Sequence, residues 1–317
     1  MSVVSLALLA VLAAPAVKPA LPVKYPPSTA ATAIKTVYRD RQNAEGWLRE
    51  NSQSYLAAVQ RKEFAAKPTL TVGRAPDCDI RIDDGIIRPH HLQVTVVGDS
   101  FKVAALDDSA LFQVENEFQP RDTILGPSTI GMTKQGALWG RYNLRLSHQR
   151  YPALILFDAF SPRFKEFKGI KHYAVDMNYR FVLPMTPNPK HGDTLTIAST
   201  KGPGRPAIRL GWFDFMIGNK PYRLTAIHML EPGMKPTDVA VFFRDATNGK
   251  ETSGMGRYLS VPRLGGTQNY MLDFNRAENP ACVFSDLYNC PLPPKENTLK
   301  VPILAGEKDL HYLTATK

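Results

Sequence analysis

Three cysteines, three tryptophans and seven histidines are all that 317 residues supply of the side chains that usually announce chemistry. The cysteines give one C-x7-C pair, Cys282 and Cys290, and not the two close-spaced pairs of a structural zinc site. The histidines never fall into H-x-H or H-x-x-x-H, so a metal centre is open only to residues converging from far apart in the chain, and neither a metal nor a cofactor is expected. There is no G-x-S-x-G elbow; Ser253 lacks the preceding glycine. Lys201-Gly202-Pro203-Gly204-Arg205 has the composition of a phosphate loop without its spacing and reads as a hairpin turn. No apolar run reaches the roughly 20 residues of a bilayer span, which excludes a transmembrane helix.

What is present is a chain able to bury a core. Hydrophobic residues make up 44%, and the length predicts two domains. Residues 1–16 join an apolar run, Val3 to Ala14, to the small-x-small pattern Ala14-Pro15-Ala16, as in a removable signal peptide. The expected localisation is export, periplasmic or secreted. Residues 17–37, rich in Pro, Ala and Thr, read as a mobile linker. The net charge of +10 is uneven: residues 38–150 hold 15 bases against 14 acids, residues 151–317 hold 21 against 15. Such a basic half suits an anionic partner. Nucleic acid is not expected, because no zinc finger, aromatic-and-glycine RNA signature or recognition helix accompanies the charge.

Residues 38–66 predict a short amphipathic helix around Trp47 and Leu48 and a first strand; thereafter the pattern is almost wholly β. Thr69-Leu-Thr-Val-Gly, Leu92-Gln-Val-Thr-Val-Val, Phe101-Lys-Val-Ala-Ala-Leu and Tyr142-Asn-Leu-Arg-Leu alternate apolar with polar, separated by short Gly, Pro, Asp and Asn loops. Residues 67–150 therefore predict a small sandwich. A second β domain is expected over 151–317, opening with Ala153-Leu-Ile-Leu-Phe-Asp158. Strands are expected at Tyr173–Asp176, Tyr179–Leu183, Ala207–Met216, Tyr222–Met229, Val239–Phe243 and Arg257–Ser260, and Ile217-Gly218-Asn219-Lys220 is a hairpin turn. The fold class is mainly β: a sandwich followed by an antiparallel meander sheet or partial barrel.

The densest segment is Tyr270 to Lys308, where acids, amides, two cysteines and five prolines crowd together. Prolines fix the backbone, so this stretch is either a site or a strap. As a site, Asp273 and Glu307 are the candidate catalytic acid and base, and Arg257, Arg276, Asn275, Asn279 and Asn297 the candidate binding groups for a small acidic ligand or anionic envelope component. As a strap, the same groups satisfy one another and loop backbone. A Cys282–Cys290 bridge would close a nine-residue ring and stabilise an exported chain by roughly 2.6 kcal/mol. Cys78, between two aspartates, reads as a small buried side chain.

The runs LDFNRA, NPAC, CPLPPKEN and AGE, with Phe243-Arg244-Asp245-Ala246-Thr247 and Gly256-Arg257-Tyr258-Leu259, resemble a bacterial family known as domain of unknown function 1684. The resemblance spans most of residues 38 to 315, strengthens from Phe242 onward, and implies a fold without a reaction. Residues 67–147 resemble a forkhead-associated domain through Gly73-Arg74, the turn Asp77-Cys78-Asp79-Ile80, Arg88-Pro89-His90 at that family's Ser-Arg-x-His, and Leu106-Asp107-Asp108-Ser109. That family's loops clamp phosphate, a role the resemblance gives to Arg74 and Arg88. Ile87 stands at the motif serine and no Asn-Gly follows Ser109, so two polar readers of phosphothreonine are absent. The resemblance then implies a retained scaffold, with His90 held in the core and Arg74 paired to a local acid. Three functions are thus set against each other: a non-catalytic exported ligand binder, a hydrolase through Asp273 and Glu307, and a phosphopeptide adapter. The oligomeric state is not legible.

Overall fold

The computed structural model describes residues 19–23, 27–134, 140–202 and 204–310. The signal-peptide expectation at residues 1–16 lies outside them. The first domain is a sandwich. One five-stranded sheet runs in the order Ile80–Arg81, Thr69–Gly73, Leu92–Val97, Ser100–Ala105, Asp122–Leu125. The facing six-stranded sheet runs Ala58–Glu63, Pro152–Asp158, Tyr142–His148, Thr129–Lys134, Ala110–Val114, Glu117–Phe118. Alternation does the work: Leu92, Val94, Phe101 and Val103 point inward from one sheet and meet Phe112, Ile130, Leu144 and Leu154 from the other.

Pro152–Asp158, expected to open the second domain, instead pairs with Tyr142–His148 and Ala58–Glu63. Its apolar run explains this. Ala153, Leu154, Ile155, Leu156 and Phe157 are all buried, Leu154 and Leu156 in the sandwich core and Ile155 and Phe157 on the opposite face, against Tyr288 and Cys290. A strand with both faces covered has no alternation to show.

The second domain is built on the hairpin Arg205–Ile217 and Lys220–Met229, closed at Gly218 with φ +58 as the turn requires. Its sheet runs Thr186–Pro187, Arg205–Ile217, Lys220–Met229, Ala240–Phe243, Arg257–Ser260, with Thr194–Ile197 also on Arg205–Ile217. A separate pair, Arg180–Pro184 with Asn269–Asp273, covers one face, and Phe181, Phe213, Phe215, Phe243 and Phe274 fill the space between. The curved sheet does not close into a barrel. Tyr173–Asp176, expected as a strand, is irregular; Asp176 instead accepts from the Asn178 amide and starts a 3-10 turn.

Within the stretch read as a linker, the described residues 19–23 and 27–37 take up defined structure. Ala20 exchanges backbone hydrogen bonds with Asp214 and Met216 along the edge of strand Arg205–Ile217, and a helix begins at Pro27 and runs to Glu50. Val37 and Leu48 are buried on it; Leu48 packs with Leu56, Phe167, Phe284 and Leu310. The Arg41 guanidinium donates to the carbonyls of Tyr173 at 2.9 Å and Asn275 at 3.1 Å. This helix therefore pins the C-terminal segment.

Candidate functional site

Three places hold polar side chains whose geometry bears on function: the C-terminal segment, the cleft between the domains, and the loop end of the sandwich.

In the C-terminal segment the candidate residues are strap. Arg257 is fully buried, ion-paired to Asp245 at 2.6 Å, and donates to the carbonyls of Ile303, Ala305 and Glu307. Burial pulls its pKa down while Asp245 opposes. A guanidinium so enclosed does not meet a ligand, which corrects its assignment as a binding group. Asn297 accepts from the Thr225 amide at 2.7 Å and donates to Thr225 and Phe242 carbonyls at 3.0 and 2.9 Å. Strands Lys220–Met229 and Ala240–Phe243 pair only at Ile227 and Ala240, so the Asn297 amide stands in for the missing ladder. Asn275 pairs with Asp176 backbone in both directions. Asp273 accepts from Arg180 at 2.7 Å and caps the Asn275 amide. Asn279 ties its amide N–H to Glu307 at 2.7 Å and its side chain to the Lys308 carbonyl at 2.9 Å. Arg276 reaches the surface and pairs with Asp40 of the helix at 2.6 Å.

Asn275, Arg276 and Glu307 do share one small cavity, about 120 Å³, with Arg41 and His172 beneath the helix. Burial raises the Glu307 carboxyl to about 8, and burial with Arg41 lowers His172 to about 4. Asp273 does not line this cavity, so the two carboxyls are not arranged around a common substrate and the acid and base pair has no structural basis. Cys282 and Cys290 are free thiols, the Cys282 amide donating to the Cys290 sulfur at 3.1 Å.

The cleft between the domains, about 270 Å³, is lined by Arg145 and Arg61 from the sandwich and by Phe242, Tyr258, Asn279 and Tyr288 from the second domain. The Arg145 guanidinium has no hydrogen-bond or ion-pair partner among the described residues, whereas Arg61 pairs with Glu63 and Arg205 with Glu231. Asn279 and Tyr288 line this cleft, and Tyr288 Oη and Asn279 Oδ1 are buried with no hydrogen-bond partner among the described residues. Sequence gave no pointer to Arg145 or Tyr288, because they meet only through the docking of two domains.

At the loop end of the sandwich, Gly73 lets two loops touch: a Cβ there would lie 2.1 Å from the Pro89 carbonyl oxygen. The Arg74 and Ala75 amides donate to Arg88 and Pro89 carbonyls at 3.0 and 2.9 Å. The Arg74 side chain is exposed and unpartnered among the described residues, not bound to a local acid. Arg88 is the one engaged, by Asp107 at 3.1 Å. Asp107 is held well below the usual carboxylate range, first by the Ser109 hydroxyl and amide and then by Arg88. His91, not His90, is the core histidine: it is fully buried, its Nδ1 accepts from the Arg88 amide at 3.3 Å, and burial lowers it to about 4. His90 is exposed. The motif thus sits one residue later, and Arg88 and Pro89 occupy the places of its serine and arginine. Ile87 is buried in the core.

Residues 165–308 match the family described as protein of unknown function (DUF1684), and residues 70–129 match the FHA, or forkhead-associated, domain. Among solved structures, an uncharacterized Haloarcula marismortui protein studied by solution NMR is 25% identical over 45% of this chain and 78% of its own, with a TM-score of 0.37. Mycobacterium tuberculosis EmbR in complex with a low-affinity phosphopeptide is 15% identical over 41% of this chain and 30% of its own, TM-score 0.21. Rad53 1–466 in complex with AMP-PNP is 11% identical over 65% and 46%, TM-score 0.17. No curated protein matches. Residues 70–129 are thus similar to an FHA domain and residues 165–308 to the DUF1684 family.

Proposed function

We propose that this protein is a docking adapter whose FHA domain binds a phosphorylated segment of a partner, with Arg74 as the anchoring cation. The observation that carries the reading is the Arg74 guanidinium, exposed and unpartnered among the described residues, on a turn whose backbone is bonded to Arg88–Pro89. The FHA match over these residues supports it. Arg88 is the second cation, shared with Asp107, and a phosphate must compete for it. Affinity is therefore expected in the weak range, resting on one free charge. The test is binding of a phosphothreonine peptide library beside its unphosphorylated counterpart. Phosphate-dependent binding that Arg74→Ala weakens about tenfold supports the adapter, tenfold being about 1.4 kcal/mol. Equal binding of both libraries, or an unaffected Arg74→Ala, removes it.

A second reading is favoured by one observation in the domain cleft: the free Arg145 guanidinium beside the unsatisfied Tyr288 hydroxyl and Asn279 oxygen. Arg145 and the Tyr288 hydroxyl suit the charged end of a small organic anion and the Asn279 oxygen a hydroxyl on it, with an apolar body lying on Phe242 and Tyr258, whose ring centroids are 4.2 Å apart at a 41° tilt. This retains the small acidic ligand expected from sequence but moves it from Arg257 and Arg276 to a different place.

A further inference from the structure

Asp77, Cys78 and His90 meet at the loop end of the sandwich. One Asp77 oxygen, the Cys78 sulfur and one His90 ring nitrogen lie within 4.8 Å of one another. The Cys78 sulfur is 3.7 Å from His90 Nδ1, and His90 Nε2 is 3.8 Å from Asp77 Oδ1. The backbone that brings them together is firmly held. The Ala75 amide donates to the Pro89 carbonyl, the Cys78 amide donates back to the Ala75 carbonyl at 3.2 Å, and the Cys78 thiol donates to that same Pro89 oxygen at 3.4 Å. A Cβ on Gly73 would come within 2.9 Å of the sulfur, so the glycine that admits Pro89 also admits Cys78.

Two chemistries use such a trio. A Cys–His–Asp relay needs a thiol poised to ionise. Here the surroundings oppose that: burial first, then the Asp77 charge, raise the thiol above its ordinary value. A bound cation reverses the balance, because it supplies the positive charge that displaces the thiol proton and gains from the neighbouring carboxylate. Tetrahedral zinc, with bonds of about 2.3 Å to sulfur and about 2.0 Å to nitrogen, sets those two ligand atoms roughly 3.5 Å apart. The observed 3.7 Å needs little adjustment. Asp77 and His90 are exposed side chains, free to swing onto the ion, while Cys78 is fixed by packing. Mixed sulfur, nitrogen and oxygen ligands select a borderline ion over magnesium or calcium.

We propose that Asp77, Cys78 and His90 form a three-ligand site for zinc(II) at the loop end of the FHA domain, with its fourth position open to solvent. The site stands whether or not the neighbouring loops read phosphate. Binding ties Asp77-Cys78 to His90, two residues beyond Arg88, and so stiffens the face that carries Arg74.

The untagged full chain, kept reduced with a non-thiol reductant and freed of metal, is titrated with cobalt(II). The expected result is one ion per chain, with a thiolate-to-cobalt charge-transfer band in the near ultraviolet that zinc(II) abolishes. His90→Ala and Asp77→Asn, both at exposed positions that leave the core intact, are expected to weaken affinity by at least the roughly tenfold that even outer partners of a metal site are worth. Cys78→Ser removes the band, and Cys282→Ser with Cys290→Ser leaves it in place, which assigns the sulfur. The proposal is overturned by a wild type without the band, by a band that survives His90→Ala and Cys78→Ser, or by one that follows Cys282 and Cys290.

Discussion

Glu307 illustrates how a single side chain sets a pH dependence. Its carboxyl is buried against Asn279, Arg41 and His172, with Glu278 and Arg257 nearby, and burial raises it to about 8 from the usual 4.5. Between those values the folded chain holds a proton that the unfolded chain has released. Its contribution is therefore fully present below about pH 4.5 and is lost as pH climbs through 8. His172 works in the other direction: depressed to about 4, it removes stability as pH falls below 6.5. Glu307→Gln, which keeps a carbonyl for the Asn279 amide, is expected to flatten the decline of stability between pH 5 and 8 and to raise stability at pH 8 by on the order of 1–3 kcal/mol. Urea denaturation at several pH values checks it; an unchanged slope contradicts the burial account. Residue identity announced that Glu307 is ionisable, but only enclosure under the helix decides its charge.

At the scale of elements, the C-terminal segment was legible as special and not as which kind of special. Five prolines and a run of amides marked it, and those amides do form hydrogen bonds, mostly with backbone: Asn275 with Asp176 and also the Asp273 carboxylate, Asn279 with Lys308, Asn297 with Thr225 and Phe242. Composition is the same for a strap and a site, since both need satisfied polar groups on rigid backbone. Asn297→Ala strips partners from three buried backbone groups across the split between Lys220–Met229 and Ala240–Phe243. The expected loss is about 3 kcal/mol, with hydrogen exchange speeding up at the Thr225 amide before the sandwich amides. Asn297→Asp, which accepts but does not donate, is expected to rescue little. The hairpin at Gly218 and the alternating strands were readable because turn chemistry and period-2 burial are local. Pro152–Asp158 joins the sandwich sheet, which its sequence does not announce, because a strand buried on both faces reads as apolar without saying which sheet it joins.

For the whole molecule, the relation of the two domains makes the cleft that neither contains alone. Arg145 arrives from the sandwich and Tyr288 from the strap of the second domain, and the helix Pro27–Glu50 holds that strap in place. If the cleft binds a small organic anion, a panel of carboxylates will include members that raise the melting temperature. Arg145→Ala is then expected to abolish the shift, and Tyr288→Phe to reduce it by the worth of one hydrogen bond, about 1 kcal/mol. A shift indifferent to both substitutions, or none across the panel, rules the cleft out.

Sequence by itself determined the β class, the sandwich followed by further antiparallel sheet, the loop motif around Gly73-Arg74 and the crowding of polar groups near the C-terminus, because these follow from periodicity, turn chemistry and residue type within a few positions. Tertiary structure decided that Arg257 is sealed and Arg74 free, that His91 rather than His90 enters the core, and that Asp77, Cys78 and His90 meet. Charge state, exposure and convergence depend on what packs against a side chain, and that neighbour comes from elsewhere in the chain.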